Sequence, residues 1–194
     1  MKEANDMKNI VFANCDIKDL EKILVEGLLP ASVTGNNNWD DDNRAENAND
    51  KVYMFKPKTI INNFIEYGLA RLTIESTSEL EISEIEEFDH HENLYTEVTA
   101  DKILAKDIVA VTLPRFLEKR IKKEYPKIAL NNKIVYKNCI LKGYFKDGNQ
   151  RNFACDALNY FAGIKLNISE YGYCREFEKG GKHIATINQL VYID

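Results

Sequence analysis

Asn9-Ile10-Val11-Phe12-Ala13-Asn14-Cys15-Asp16 leads into Ile17-Lys18-Asp19-Leu20-Glu21-Lys22-Ile23-Leu24-Val25-Glu26-Gly27-Leu28-Leu29-Pro30. The first five residues predict a short strand. Asp16 stands where an N-cap would, and Ile17, Leu20, Ile23, Leu24 and Leu28 then recur at helical spacing. Gly27 falls where a left-handed residue would end the helix. A strand that turns at once into an amphipathic helix, closed by glycine and followed by Pro30, sets a strand–helix beginning for the fold.

Outward from this stretch, residues 31–50 are rich in Asn, Asp and Gly around Trp39 and predict a long loop. Val52-Tyr53-Met54-Phe55 predicts a strand, and Lys58 to Tyr67 a helix with Ile61, Phe64 and Ile65 on one face. Ala70 to Glu75 alternates as a strand does, Leu72 and Ile74 against Arg71, Thr73 and Glu75. Residues 76–93 form an acidic loop with a short strand near Leu80–Ile82. Further strands are expected near 94–99 and 107–113. Pro114 breaks the pattern, Arg115 to Glu124 is helical in spacing, and strand-like runs return at Ile134–Tyr144 and Ile184–Ile193. Asn152 to Ala162 has the pattern of a helix. Short strands, few helices and no regular βαβ alternation predict an α+β fold in a single domain, 1–194.

Composition narrows the class. The chain has 194 residues, 44% hydrophobic and 29% charged, the balance of a globular protein. No apolar run approaches the roughly 18 residues of a membrane span, and the first residues lack the apolar stretch of a signal peptide. The expectation is a cytoplasmic protein with no membrane partner. Cys15, Cys139, Cys155 and Cys174 form no close pair, so no metal site is expected and the four read as buried free thiols. The net charge of −5 is uneven. Residues 1–100 carry 9 basic and 21 acidic side chains, whereas residues 115–151 carry 11 basic and 3 acidic. The basic segment reads either as a solvated helix face or as a track for nucleic-acid phosphates.

Three motifs converge on Glu97, which stands in Leu94-Tyr95-Thr96-Glu97-Val98 at the entry to the apolar positions Ile103, Ile108, Val109 and Val111. The first is Ile23-Leu24-Val25-Glu26-Gly27-Leu28-Leu29-Pro30. The second is Tyr53 with Phe64, 11 positions apart. The third is Tyr95-Thr96-Glu97 itself. Together they resemble the histidine–tyrosine–glutamate branch of the ADP-ribosyltransferase superfamily, which holds diphtheria toxin, the poly-ADP-ribose polymerases and bacterial DNA ADP-ribosyltransferases. The resemblance covers about residues 9–114 and implies a split antiparallel β-sheet core with flanking helices. Residues 115–194 are then a C-terminal extension packed on that core or completing it.

The resemblance implies NAD as cofactor and a macromolecular acceptor, a protein in preference to nucleic acid. Glu97 is the catalytic residue it implies. Breaking the nicotinamide–ribose bond builds positive charge on the ribose, and a carboxylate bonded to the ribose 2′-hydroxyl stabilises that charge. Tyr53 and Phe64 would stack on the nicotinamide. Backbone groups at Asn14 would hold its carboxamide, and Arg44 would bind the pyrophosphate with its two-pronged guanidinium. Tyr95, two positions before Glu97, would select the acceptor and argues against arginine. Ala13 stands where the family has its cofactor-orienting histidine. That departure sets an alternative beside the enzyme: a catalytically degenerate relative that binds a partner macromolecule. His90 and His91 read as a solvated loop pair, and nothing fixes Cys174 and His183 as a nucleophile and base.

Overall fold

The computed structural model describes residues 9–35, 50–57, 64–65, 70–82, 95–145, 150–154, 175–179 and 182–192. The fold is α+β. Its strands are β1 (Asn9–Cys15), β2 (Val52–Pro57), β3 (Phe64–Ile65), β4 (Ala70–Ser76), β5 (Glu81–Ile82), β6 (Tyr95–Ala100), β7 (Ile108–Pro114), β8 (Ile134–Lys137), β9 (Cys139–Phe145), β10 (Gln150–Ala154), β11 (Arg175–Lys179) and β12 (Lys182–Tyr192). The helices are α1 (Leu20–Glu26), α2 (Ala31–Thr34), α3 (Glu118–Glu124) and α4 (Pro126–Ala129). A seven-stranded sheet has the order β5-β6-β2-β1-β4-β7-β8. It is mixed, because β7 and β8 pair in parallel while β1, β2, β5 and β6 pair antiparallel. In a second sheet, of order β10-β9-β12-β11, β3 also pairs with β12.

The chain divides into two compact units. The first comprises Met1–Ala13, Lys22–Thr59 and Thr73–Val109, and the second Asn14–Glu21, Ile60–Leu72 and Ala110–Asp194. The residues of β1, β4 and β7 are divided between the two units.

The opening strand and helix form largely where their pattern puts them. β1 extends two residues beyond the expected strand, to Cys15. A 3-10 turn (Ile17–Asp19) precedes α1, closed by the Asp19 N–H donating to the Asp16 carbonyl at 3.1 Å. Asp16 occupies the cap position but makes no side-chain cap bond; its carboxylate lies 3.4 Å from the Lys18 ammonium instead. Gly27 has φ 88°, and its N–H donates to the Ile23 carbonyl at 2.8 Å, ending the helix. Leu28 and Ile103 then exchange two backbone hydrogen bonds, each 2.9 Å, as an isolated antiparallel bridge. A Cβ on Gly27 would overlap the Ile103 carbonyl oxygen, so close approach of two backbones, as well as positive φ, demands glycine here.

In the first unit, strand alternation gives β1, β2 and β6 two unlike faces. Val11, Ala13, Val52, Met54, Val98 and Ala100 are buried on one side. Lys51 joins the strand ends on the surface, 2.8 Å from Asp101 and 3.2 Å from Glu81. Asp107 is buried and accepts from the Thr77 hydroxyl at 2.8 Å and the Thr77 N–H at 3.2 Å.

In the second unit, Leu113, Leu117, Ile121, Ile128 and Cys139 are buried. Arg71, expected on the polar side of its strand, is buried as well. Its guanidinium carbon sits 4.9 Å from the centroid of the Tyr192 ring, whose hydroxyl donates to the Thr112 carbonyl at 3.2 Å. An aromatic face can hold a guanidinium where water is excluded, so simple polar/apolar alternation misassigns this position. Burial lowers the Arg71 pKa and raises that of Tyr192 well above its ordinary value.

Two expected helices are corrected in part. Residues 64–65 form β3, in register with Val191 and Leu190 of β12. Residues 152–154 belong to β10, which pairs with β9 from Gln150↔Tyr144 to Ala154↔Ile140. In both cases a ladder to a strand distant in sequence overrides local helical spacing. The rest of each expected helix lies outside the described residues. Among the described residues no helix is long and apolar enough to cross a membrane.

Candidate functional site

The register of the first unit brings Glu97 into a cross-strand row. Phe12 of β1 lies opposite Phe55 of β2, and Phe55 lies opposite Glu97 of β6. Directly opposed residues share a face, with Cβ atoms about 5 Å apart. The Phe12 and Phe55 rings meet at 5.7 Å between centroids, tilted by 31°. Tyr53 is two residues from Phe55 on the same face, opposite Thr99. Phe12, Tyr53, Phe55 and Glu97 are each half-buried, whereas Thr99 is buried. One carboxylate oxygen of Glu97, Oε1, is shielded from solvent. A carboxylate at the end of an aromatic row, partly withdrawn from water, can accept a hydrogen bond from a ligand hydroxyl beside a surface suited to a flat ring.

Of the site residues expected from sequence, the structure brings Tyr53 and Glu97 together on neighbouring strands. Tyr95 is in β6, opposite Pro57 and two positions before Glu97. Ala13 is 4% exposed and packs with Val11 on the other face of β1, so the side chain at this position enters the core. Asn14 belongs to the second unit, and its Oδ1 is buried with no hydrogen bond among the described residues. Phe64 also belongs to the second unit and stands in β3 rather than on a helix. Arg44, His90 and His91 lie outside the described residues. Phe12 and Phe55 did not stand out in the sequence because both read as ordinary strand apolars. The available signal was parity: Phe12 alternates with Val11 and Ala13, and Phe55 with Met54.

Among the described residues the other reactive side chains form no second centre of this kind. Cys15 and Cys139 are buried. Burial, with Asp19 and Asp16 nearby, pushes the Cys15 thiol far up and keeps it protonated. Among the described residues no group of three His, Cys, Asp or Glu side chains could hold a metal ion.

Compared with protein-family models, with curated proteins and with solved structures, the chain matches none. What it does must therefore be read from its own residues.

Proposed function

We propose that the protein is an NAD-dependent mono-ADP-ribosyltransferase acting on a macromolecule, with Glu97 as its catalytic carboxylate. The observation that carries this reading is the row Phe12–Phe55–Glu97 with Tyr53 beside it, on the half-buried face of three neighbouring strands. The strand order β6-β2-β1 supports it, since the glutamate-bearing and tyrosine-bearing strands are adjacent.

The residues fit NAD by their chemistry. When bound, NAD supplies an ADP-ribosyl group whose bond to nicotinamide breaks as positive charge grows on the ribose. Glu97 accepts a hydrogen bond from a ribose hydroxyl and sets a negative charge beside that carbon. Phe55 and Tyr53 offer ring faces to the nicotinamide, and Phe12 backs Phe55. The acceptor nucleophile bonds to the ribose carbon and gives up its proton, while nicotinamide leaves with the bonding electron pair. Tyr95 is positioned in sequence to select the acceptor.

The test is incubation with labelled NAD and a mixture of protein and nucleic-acid acceptors, comparing the native chain with Glu97→Gln. Label on an acceptor with the native chain and its loss in the variant is the expected result; equal labelling by both removes Glu97 from the role.

A second reading rests on Ala13, whose small buried side chain cannot orient a cofactor. On that reading the scaffold binds a partner without chemistry. Calorimetry with NAD separates the two: heat of binding that is lost in Phe55→Ala favours the enzyme, and absence of binding favours the interaction protein.

A further inference from the structure

We propose that the second unit carries a nucleic-acid-binding surface on α3, centred on Lys119 and Lys123. This goes beyond the transferase reading and does not depend on it. Residues 115–137 contain 8 basic and 2 acidic side chains. Both acids are already engaged: Glu118 pairs with Lys122 and with Arg115, and Glu124 pairs with Arg120 at 2.9 Å. Lys119 and Lys123 are exposed and make no ion pair among the described residues. Four residues apart on a helix, they stand on one face about 6 Å apart along the axis. Ile121 is fully buried and fixes α3 so that this face stays outward.

The chemistry of the face selects its partner. Membrane-surface helices insert an apolar side, and the one large apolar side chain of α3, Ile121, is turned into the core. Protein–protein interfaces are poor in lysine and rich in aromatic anchors at their centre. An outward pair of lysines without an apolar centre suits a chain of phosphates, where affinity comes from released counterions. Such binding reads backbone rather than sequence.

The experiment is fluorescence anisotropy of a labelled, mixed-sequence DNA duplex titrated with the full chain at several salt concentrations. Binding that weakens steeply with salt is expected. In Lys119→Ala/Lys123→Ala the logarithmic salt slope should become shallower by about 1.8, at about 0.9 for each phosphate no longer neutralised. Lys102→Ala/Lys106→Ala, which removes two exposed lysines of the first unit, should leave the slope unchanged. No binding to the duplex, an unaltered slope in the α3 variant, or binding only to phosphatidylserine vesicles would each overturn the proposal. Because the measurement uses no NAD, its failure leaves the transferase reading untouched, and the reverse also holds.

Discussion

Two faces of the same three strands differ in what they carry. On one face of β1, β2 and β6, Val11, Ala13, Val52, Met54, Val98 and Ala100 are buried, and their role is volume. On the other, Phe12, Tyr53, Phe55 and Glu97 are half-buried and combine rings with a carboxylate. A core position needs only the right size and polarity, whereas a carboxylate kept partly out of water costs stability unless it is partnered, which makes Glu97 the position to test for ligand contact. Adjacent residues of β2 should therefore differ in what their loss removes: on the proposed reading Met54 sustains the fold and Phe55 the binding of NAD.

The comparison breaks most visibly at Met54. Met54→Ala should cost about 2–5 kcal/mol of stability, read by denaturant unfolding, with ligand affinity unchanged in the fraction that folds. Glu97→Gln should lower transfer from NAD by about 10²–10³ while the unfolding midpoint holds. If Glu97→Gln unfolds the protein instead, the two faces are alike and the carboxylate is structural. Phe55→Ala sharpens the contrast at smaller scale. Loss of one stacked ring, about 0.5–1.5 kcal/mol, should weaken NAD by about two- to tenfold in calorimetry.

Cys15 extends the buried parity of β1, and its prediction is one of pH. Its folded-state pKa is raised, so the stability tied to the neutral thiol is fully present below the ordinary value of 9.0 and is lost as pH climbs from there toward the folded-state value. The slope should be about 1.4 kcal/mol per pH unit at most, and Cys15→Ala should flatten it in a pH series of unfolding curves. Tyr192, raised in the same sense from 10.0, would leave a residual slope at higher pH. The smallest effect is expected at Lys51: removing its two exposed ion pairs should move the melting temperature little, and not at all at high salt.

Most of the first unit was legible in the sequence because its signals are local. Short apolar runs mark β1 and β7, alternation marks β4, and Gly27 marks the end of α1 through a backbone angle only glycine adopts easily. β3 and β10 were not legible, since Phe64–Ile65 and Gln150–Ala154 become strands by pairing with partners that no local window contains. Arg71 was misassigned for a related reason: the Tyr192 ring that receives it lies 121 positions along the chain. In the candidate site, Glu97 and Tyr53 could be picked out by residue type and spacing. For Phe12 and Phe55 parity gives the face but not the neighbour, because inter-strand register decides which apolar residues stand beside the carboxylate.

Gly27 and Gly35 both have positive φ, 88° and 68°, yet their surroundings differ. Among the described residues nothing lies within 4 Å of where a Cβ on Gly35 would sit, whereas one on Gly27 would strike the Ile103 backbone. In a diverging lineage, position 35 can drift to asparagine, which tolerates that angle. Position 27 has no neighbouring sequence to drift into: each one-step change adds a carbon where the Ile103 carbonyl stands. A library of random variants selected only for folding should thus return glycine at 27 long after 35 has lost it.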